Sequence, residues 1–402
     1  MKTKIYYVLL LSFFVLFLIA TNVHSQNVWT QRANSGYANE GCIGFSINNK
    51  GYQGLGSAAS LREYDPVTDT WSSKTSFPSS FTNNAVVFVI SGIAYVGTGH
   101  SSPITNFTNS FYAYDPSTNT WSSKAGIPGG DRTNAVGFAI GNKGYVATGW
   151  NGSFLNDLWE YDPTLNSWTQ KANFIGTARS LAVAFTINGK GYVGTGWDTA
   201  PTTSFYEYDP GTNQWTQKAN FPGAAVSNAV SFVIGNKGYI CTGQLTGGGD
   251  TQEMYSYDPV SNSWTHELSL AGLSRFRAYS FELGNSGYVG SGYNTNSSTI
   301  LQDLWEFGPD PLTNTNEIPD GNGLIVIANN VSNIISILYN DINLIDGYFM
   351  ITDIYGRAIR SEKLDFYSNK YDISISNFKT GLYLYYIVEN NQIIKTGKFI
   401  KN

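Results

Sequence analysis

Hydrophobic positions in this chain fall in short runs separated by turn residues. Between Ala135 and Ile140 the residues alternate as a half-buried strand requires. Gly141-Asn142-Lys143-Gly144 then reads as a hairpin turn into a second strand, Tyr145–Thr148. A third strand covers Leu158–Tyr161. After it, Asp162-Pro163-Thr164-Leu165-Asn166 turns the chain, proline fixing φ and Asp and Asn bonding to nearby backbone. A fourth strand begins at Trp168. The pattern predicts an all-β chain whose unit is four short antiparallel strands, here named a to d.

That unit repeats. Tyr64-Asp65-Pro66 recurs at Tyr114, Tyr161, Tyr208 and Tyr257, each time followed by a tryptophan: Trp71, Trp121, Trp168, Trp215 and Trp264. The aspartates are 50, 47, 47 and 49 residues apart. A glycine-rich motif runs in step, from Ala94-Tyr95-Val96-Gly97-Thr98-Gly99 to Gly287–Gly292, with Gly51-Tyr52-Gln53-Gly54-Leu55-Gly56 as a divergent first copy. Four-stranded units at this period resemble the kelch-repeat β-propellers over residues 27–308. The family's paired glycines after strand b stand here as Thr-Gly or Ser-Gly. Trp29-Thr30-Gln31 reads as a strand d with no strand c before it, and Leu304-Trp305-Glu306-Phe307 as a strand c with no strand d after it. Joined, they complete a sixth blade. The expectation is a six-bladed propeller closed by its N-terminal strand.

Both flanks differ from the repeats. Residues 1–25 carry Lys2 and Lys4, then an apolar run from Ile5 to Ala20, then Val23-His24-Ser25. The run is shorter than the roughly 20 residues that span a bilayer and reads as a signal peptide cut near Ser25. No membrane span is expected after that cleavage. At the other end, residues 309–323 are rich in Pro, Asn, Asp and Gly, as a linker is. Residues 324–402 are rich in isoleucine, and alternating runs at Ile334–Leu338, Tyr348–Ile354, Leu382–Val388 and Ile393–Ile400 predict a small β-sandwich. Asp353-Ile354-Tyr355-Gly356-Arg357, the stretch from Asp372-Ile373-Ser374 to Thr380-Gly381-Leu382-Tyr383, and Lys398-Phe399-Ile400-Lys401 resemble the type A C-terminal sorting domain of the bacterial type IX secretion system. The family's early Pro-Asn-Pro stands here as Ala328-Asn329-Asn330. The resemblance implies the type IX machinery as partner, passage across inner and outer membranes, and a secreted or cell-surface product.

Composition narrows the function. Charged residues make up 13% of the chain and the net charge is −5, with no basic cluster, so nucleic acid is not an expected partner. Cys42 and Cys241 align with alanines and glycines of the other units and read as small packed residues. Beyond the signal only His100 and His266 remain, thin for a metal centre. There is no Gly-x-Ser-x-Gly elbow and no phosphate loop, and no cofactor is expected.

Function is expected at one end of the ring. The b–c loops (57–60, 100–110, 150–157, 197–204, 244–253 and 293–303) vary in length, whereas the turns at the other end are tight and repetitive. Ser57, His100, Trp150, Trp197, Gln244 and Tyr293 open these loops. Just before strand a, on the same face, lie Arg132, Arg179, Arg275 and Arg277, with Glu40 nearby. Aromatic faces stack on sugars, while arginines and carboxylates bind hydroxyls or a carboxylate. The ligand set is therefore Trp150, Trp197, Tyr293, His100, the four arginines and Glu40. The first reading is a non-enzymatic secreted protein that binds a glycan or protein. A second is an enzyme resembling the kelch sialic-acid mutarotases, with Glu40 as base and the arginines as carboxylate binders. A third is a structural surface component.

Overall fold

The computed structural model describes residues 27–401, apart from 81, 102–103, 105, 310–323, 330–333, 340–346, 354–355, 365–369 and 390–391. The signal segment and residues 310–323 of the linker lie outside the described residues, as do Ile354 and Tyr355 of the sorting motif. Every regular element described is a β-strand.

Six four-stranded antiparallel sheets, I to VI, follow one another from residue 43 to 309. Sheet III is representative: a Val136–Ile140, b Lys143–Ala147, c Leu158–Asp162, d Ser167–Lys171. Its second strand stops one residue short of expectation because Thr148 is in the left-handed region, at φ 62°. The a–b hairpins have two-residue turns, with Gly141, Gly235 or Gly284 alone at positive φ in three sheets. In the others both turn residues are left-handed (Asn48-Asn49, Ser91-Gly92, Asn188-Gly189), the two solutions that match strand twist.

The a strands are Ile43–Ile47, Val86–Ile90, Val136–Ile140, Val183–Ile187, Val230–Ile234 and Tyr279–Leu283. Each neighbours the next, and the last neighbours the first, so the sheets surround a central channel. Sheet VI takes its outer strand from Asn27–Arg32, antiparallel to Leu304–Pro309, with Trp29 opposite Phe307.

Two packing devices explain the repeated motifs. In five sheets the glycine of a Gly-Tyr pair in strand b lies under a phenylalanine of the preceding sheet. A Cβ on Gly144 would sit 2.1 Å from the Phe88 ring, and Gly191, Gly238, Gly287 and Gly51 lie likewise under Phe138, Phe185, Phe232 and Phe281. The Tyr-Asp-Pro-x-x-Asn-x-Trp segment is a clamp. In sheet III the Tyr161 hydroxyl donates to Asn166 Oδ1 (2.7 Å), which also accepts the Ala125 N–H (2.9 Å), while Trp168 Nε1 donates to the Ala125 carbonyl (2.8 Å). Asn166, at φ 47°, turns the chain so that these groups converge on the end of the preceding sheet. The first copy grips Ala33 in the same way through Tyr64, Asp69 and Trp71, fastening sheet I to the N-terminal strand.

The C-terminal region has a three-stranded sheet (Leu324–Asn329, Ile334–Tyr339, Lys370–Ser374) and a four-stranded one (Ala358–Lys363, Gly347–Asp353, Gly381–Glu389, Gln392–Lys401). Ile335, Ile337 and Ile373 of the first share a core with Phe349, Ile351, Tyr385, Ile387 and Phe399 of the second. Three of these strands, Leu324–Asn329, Ala358–Lys363 and Lys370–Ser374, are additional to the alternating runs read from the sequence.

Candidate functional site

The d–a loops end on six residues that meet around the channel mouth. Gly41, Asn84, Asn134, Leu181, Asn228 and Arg277 are all left-handed, with φ between 50° and 64°. Each donates its N–H to the carbonyl of the preceding one: Asn84 to Gly41 (2.8 Å), Asn134 to Asn84 (3.2 Å), Leu181 to Asn134 (3.0 Å), Asn228 to Leu181 (3.0 Å) and Arg277 to Asn228 (3.1 Å). Gly41 completes the circle by donating to Arg277 (3.0 Å). Asn and Gly dominate because they tolerate this conformation with least strain. The repeated Asn-Ala before strand a was the available sequence signal for a ring of which the residue list above holds only Arg277.

The b–c loops are zipped onto these d–a segments. His100 pairs with Asn83, Trp150 with Thr133, Trp197 with Ser180, Gln244 with Ser227 and Tyr293 with Phe276. The loop face is therefore held in place by backbone bonds, which lowers the ordering cost of binding.

Three of the nine proposed ligand residues belong to the interior instead. Arg132 is fully buried, bidentate to Asp157 (2.6 and 2.7 Å), and bonded to the Thr148 and Gly129 carbonyls. Arg275 is equally buried on Asp303 (2.6 and 2.8 Å) and the Ser291 carbonyl. Arg179 has no carboxylate; it donates to the Thr177 and Thr195 carbonyls and to the Thr177 and Ser204 hydroxyls, beside the Phe174 ring. These guanidiniums tie strand ends together and present nothing to a ligand. The sequence placed them at the right end of the sheets but could not show which way they turn.

Of the other six, five are part-exposed at the face or its mouth, and His100 is not. Arg277 and Glu40 form a long, half-exposed ion pair (3.5 Å) beside the ring, and Arg277 also lies over Phe276 (5.6 Å). Arg277 Nε and Asn134 Oδ1 are buried without a protein partner. His100 is buried, with Nδ1 2.9 Å from Thr133 Oγ1. Burial, then the Arg277 charge, holds its pKa below the ordinary 6.5. The folded state thus keeps His100 neutral while the unfolded chain takes up a proton, so stability should fall as pH drops below 6.5 and level off below the folded pKa. His100→Asn should flatten that limb, measured as melting temperature between pH 7 and 5.

Trp150, Trp197 and Tyr293 are all half-buried. Trp150 packs edge-on to Phe154 (4.8 Å) and Tyr293 edge-on to Phe276 (5.6 Å). Eight of the ten indoles donate to groups inside the fold: Trp29, Trp71, Trp121, Trp168, Trp215 and Trp264 to carbonyls, Trp159 and Trp305 to carboxylates. Trp150 and Trp197, on adjacent sheets, are the two with no such bond.

Below the ring, a collar of Cys42, Ala85, Ala135, Ala182, Ala229 and Ala278 surrounds a cavity of about 180 Å³. Burial pushes both thiols, Cys42 and Cys241, up to about 12, which makes them poor nucleophiles. Among the described residues no cluster of His, Cys, Asp and Glu could hold a metal ion.

Comparison with known proteins agrees with the architecture. The Kelch motif matches residues 83–126 and 131–174, within sheets II and III and the loops that lead into them. A secretion system C-terminal sorting domain matches residues 326–402. No curated protein sequence matches the chain. The solved structure of YjhT covers 68% of this chain and 95% of its own, with a TM-score of 0.62 at 18% identity, a likeness of fold.

Proposed function

Taking the chain as an exported, kelch-motif protein addressed to the type IX machinery by its tail, we propose that its loop face binds a carbohydrate without chemically changing it. The observation that carries this is the pair Trp150 and Trp197. Each offers a half-exposed ring and an unspent N–H, the combination that stacks on a sugar face and bonds one of its hydroxyls. Phe154 and Tyr293 extend the aromatic rim, and Glu40, Arg277 and the ring asparagines offer polar partners towards the centre.

The test is a glycan array probed with the exported chain, followed by titration of the sugar that binds. Trp150→Ala and Trp197→Ala should each weaken binding roughly tenfold, about 1.4 kcal/mol, with unchanged circular dichroism. Binding that survives the double variant places the site elsewhere. An empty array, with capture of a defined protein that Trp150→Ala/Trp197→Ala abolishes, gives the face to a protein ligand. Self-association alone supports a structural component.

The Glu40–Arg277 pair favours a second reading, a carbohydrate enzyme resembling sialic-acid mutarotases. Of the arginines first assigned to it, only Arg277 stands beside Glu40. That reading requires faster anomer exchange of a carboxylated sugar with the wild type than with Glu40→Gln.

A further inference from the structure

Five of the six interfaces between neighbouring sheets are built to one plan. In strand b, Val96, Val146, Val193, Ile240 and Val289 are fully buried against the preceding sheet. Each lies opposite an aromatic residue of strand c: Tyr112, Trp159, Tyr206, Tyr255 and Trp305. The loop that leads into the sheet adds a buried apolar plug, Phe77, Ile127, Phe174, Phe221 or Leu270. Phe77, for example, packs edge-on to Tyr112 (5.2 Å) and Trp121 (5.0 Å).

Where the ring closes, between sheets VI and I, all three places are polar. Gln53 stands at the valine position and Arg62 opposite it in strand c. Ser35 is the plug: its N–H meets the Gln302 carbonyl (3.1 Å) as the Phe77 N–H meets that of Ala59 (2.7 Å). Across the seam, Tyr279 begins strand a where the other sheets have Ile43, Val86, Val136, Val183 and Val230. Arg62 Nη1 donates to the Ser35 carbonyl, but Gln53 Oε1, Arg62 Nε and Tyr279 Oη are buried without a protein partner. The fully buried apolar core of this interface is reduced to Tyr64, Tyr279, Phe281, Tyr288 and Leu304, the smallest of the six. Lost apolar area and unpaired polar groups both weaken the contact.

We propose that the propeller opens at the interface of sheets VI and I, which acts as a gate on the channel mouth while the other five interfaces stay shut. The N-terminal strand remains in sheet VI, held by its ladder to Leu304–Pro309, and residues 33–42 are the joint. Opening breaks two bonds at the mouth, from the Gly41 N–H to the Arg277 carbonyl (3.0 Å) and from the Gly292 N–H to the Asn39 carbonyl (2.8 Å). It also parts the Arg277–Glu40 ion pair, which spans the same interface, and so widens the way into the channel. The grip of Asp69 and Trp71 on Ala33 opposes it and keeps the closed ring the main form. The gate does not depend on sugar binding at the loop face.

Native-state hydrogen exchange of the exported chain, read at single amides, tests this. Gly41 and Gly292 report the interface of sheets VI and I. Their counterparts at the next three are Asn84 and Gly56, Asn134 and Gly99, and Leu181 and Gly149; at the last two they are Asn228 and Gly196, and Arg277 and Gly243. Protection at Gly41 and Gly292 should be lower than at the counterparts by about tenfold or more. Gln53→Val, which installs the residue of the other sheets, should recover most of that difference. Val96→Gln should create a second weak interface, lowering protection at Asn84 and Gly56 but not at Leu181 and Gly149. Equal protection around the ring of the wild type would overturn the proposal, and so would a Gln53→Val effect spread evenly over all six interfaces.

Discussion

Asp157→Ala is expected to destabilise the propeller by about 3–5 kcal/mol, because it leaves the fully buried Arg132 guanidinium without its counter-charge. The Coulomb partner is only part of the loss. Asp157 Oδ2 also accepts the Trp159 indole N–H (2.7 Å), so one substitution strands a second, part-buried donor. Sheet IV supplies an internal comparison. There Ser204 faces Arg179, whose pKa burial lowers. Ser204→Asp should therefore raise the melting temperature where Asp157→Ala reduces it. Thermal unfolding of the two variants checks both signs, and a neutral Asp157→Ala would show that the pair contributes little beyond its own desolvation.

Trp215→Ala should cost a similar amount, about 3–5 kcal/mol, through a different mechanism. Trp215 is nearly buried, packs edge-on to Phe174 (5.1 Å) and beside Tyr208 (5.1 Å), and donates to the Ala172 carbonyl (3.0 Å). Alanine leaves a cavity between sheets III and IV and frees a carbonyl. Trp215→Phe, which fills most of the space but cannot donate, should recover the larger share. Denaturant midpoints of the three proteins separate packing from the hydrogen bond. Comparable losses for alanine and phenylalanine would make the bond, not the volume, the main contribution.

The sheets were legible in the sequence because their determinants are local and repeated. Hairpin turns such as Asn188-Gly189, the alternation in each a strand and the Asp-Pro turn all act within a few residues. Trp29 and Leu304–Phe307 could be matched because each lacks a neighbour that every other copy has. The site was only partly legible. Arg132 and Arg277 look alike in sequence, both close to the start of an a strand. Yet one turns inward to an aspartate 25 residues further on, and the other stays at the mouth. That choice is made by Asp157, which a repeat alignment treats as loop.

The joined ends of sheet VI set an order of events during export. Arg32 meets Glu306 across 274 positions, whereas each of the other five four-stranded sheets of the propeller takes its strands from one stretch of about 30–40 residues. The strand Asn27–Arg32 must wait for a partner that follows the strands of five other sheets and precedes the C-terminal region. Long-range closure of this kind is slow compared with hairpin formation. A chain held at that stage exposes the edge of Leu304–Pro309 and leaves the Asp69 and Trp71 grip of sheet I without Ala33. Whatever holds the protein in the periplasm before its tail is read meets either that open form or the finished ring, and the two differ by the docking of six residues, Asn27–Arg32.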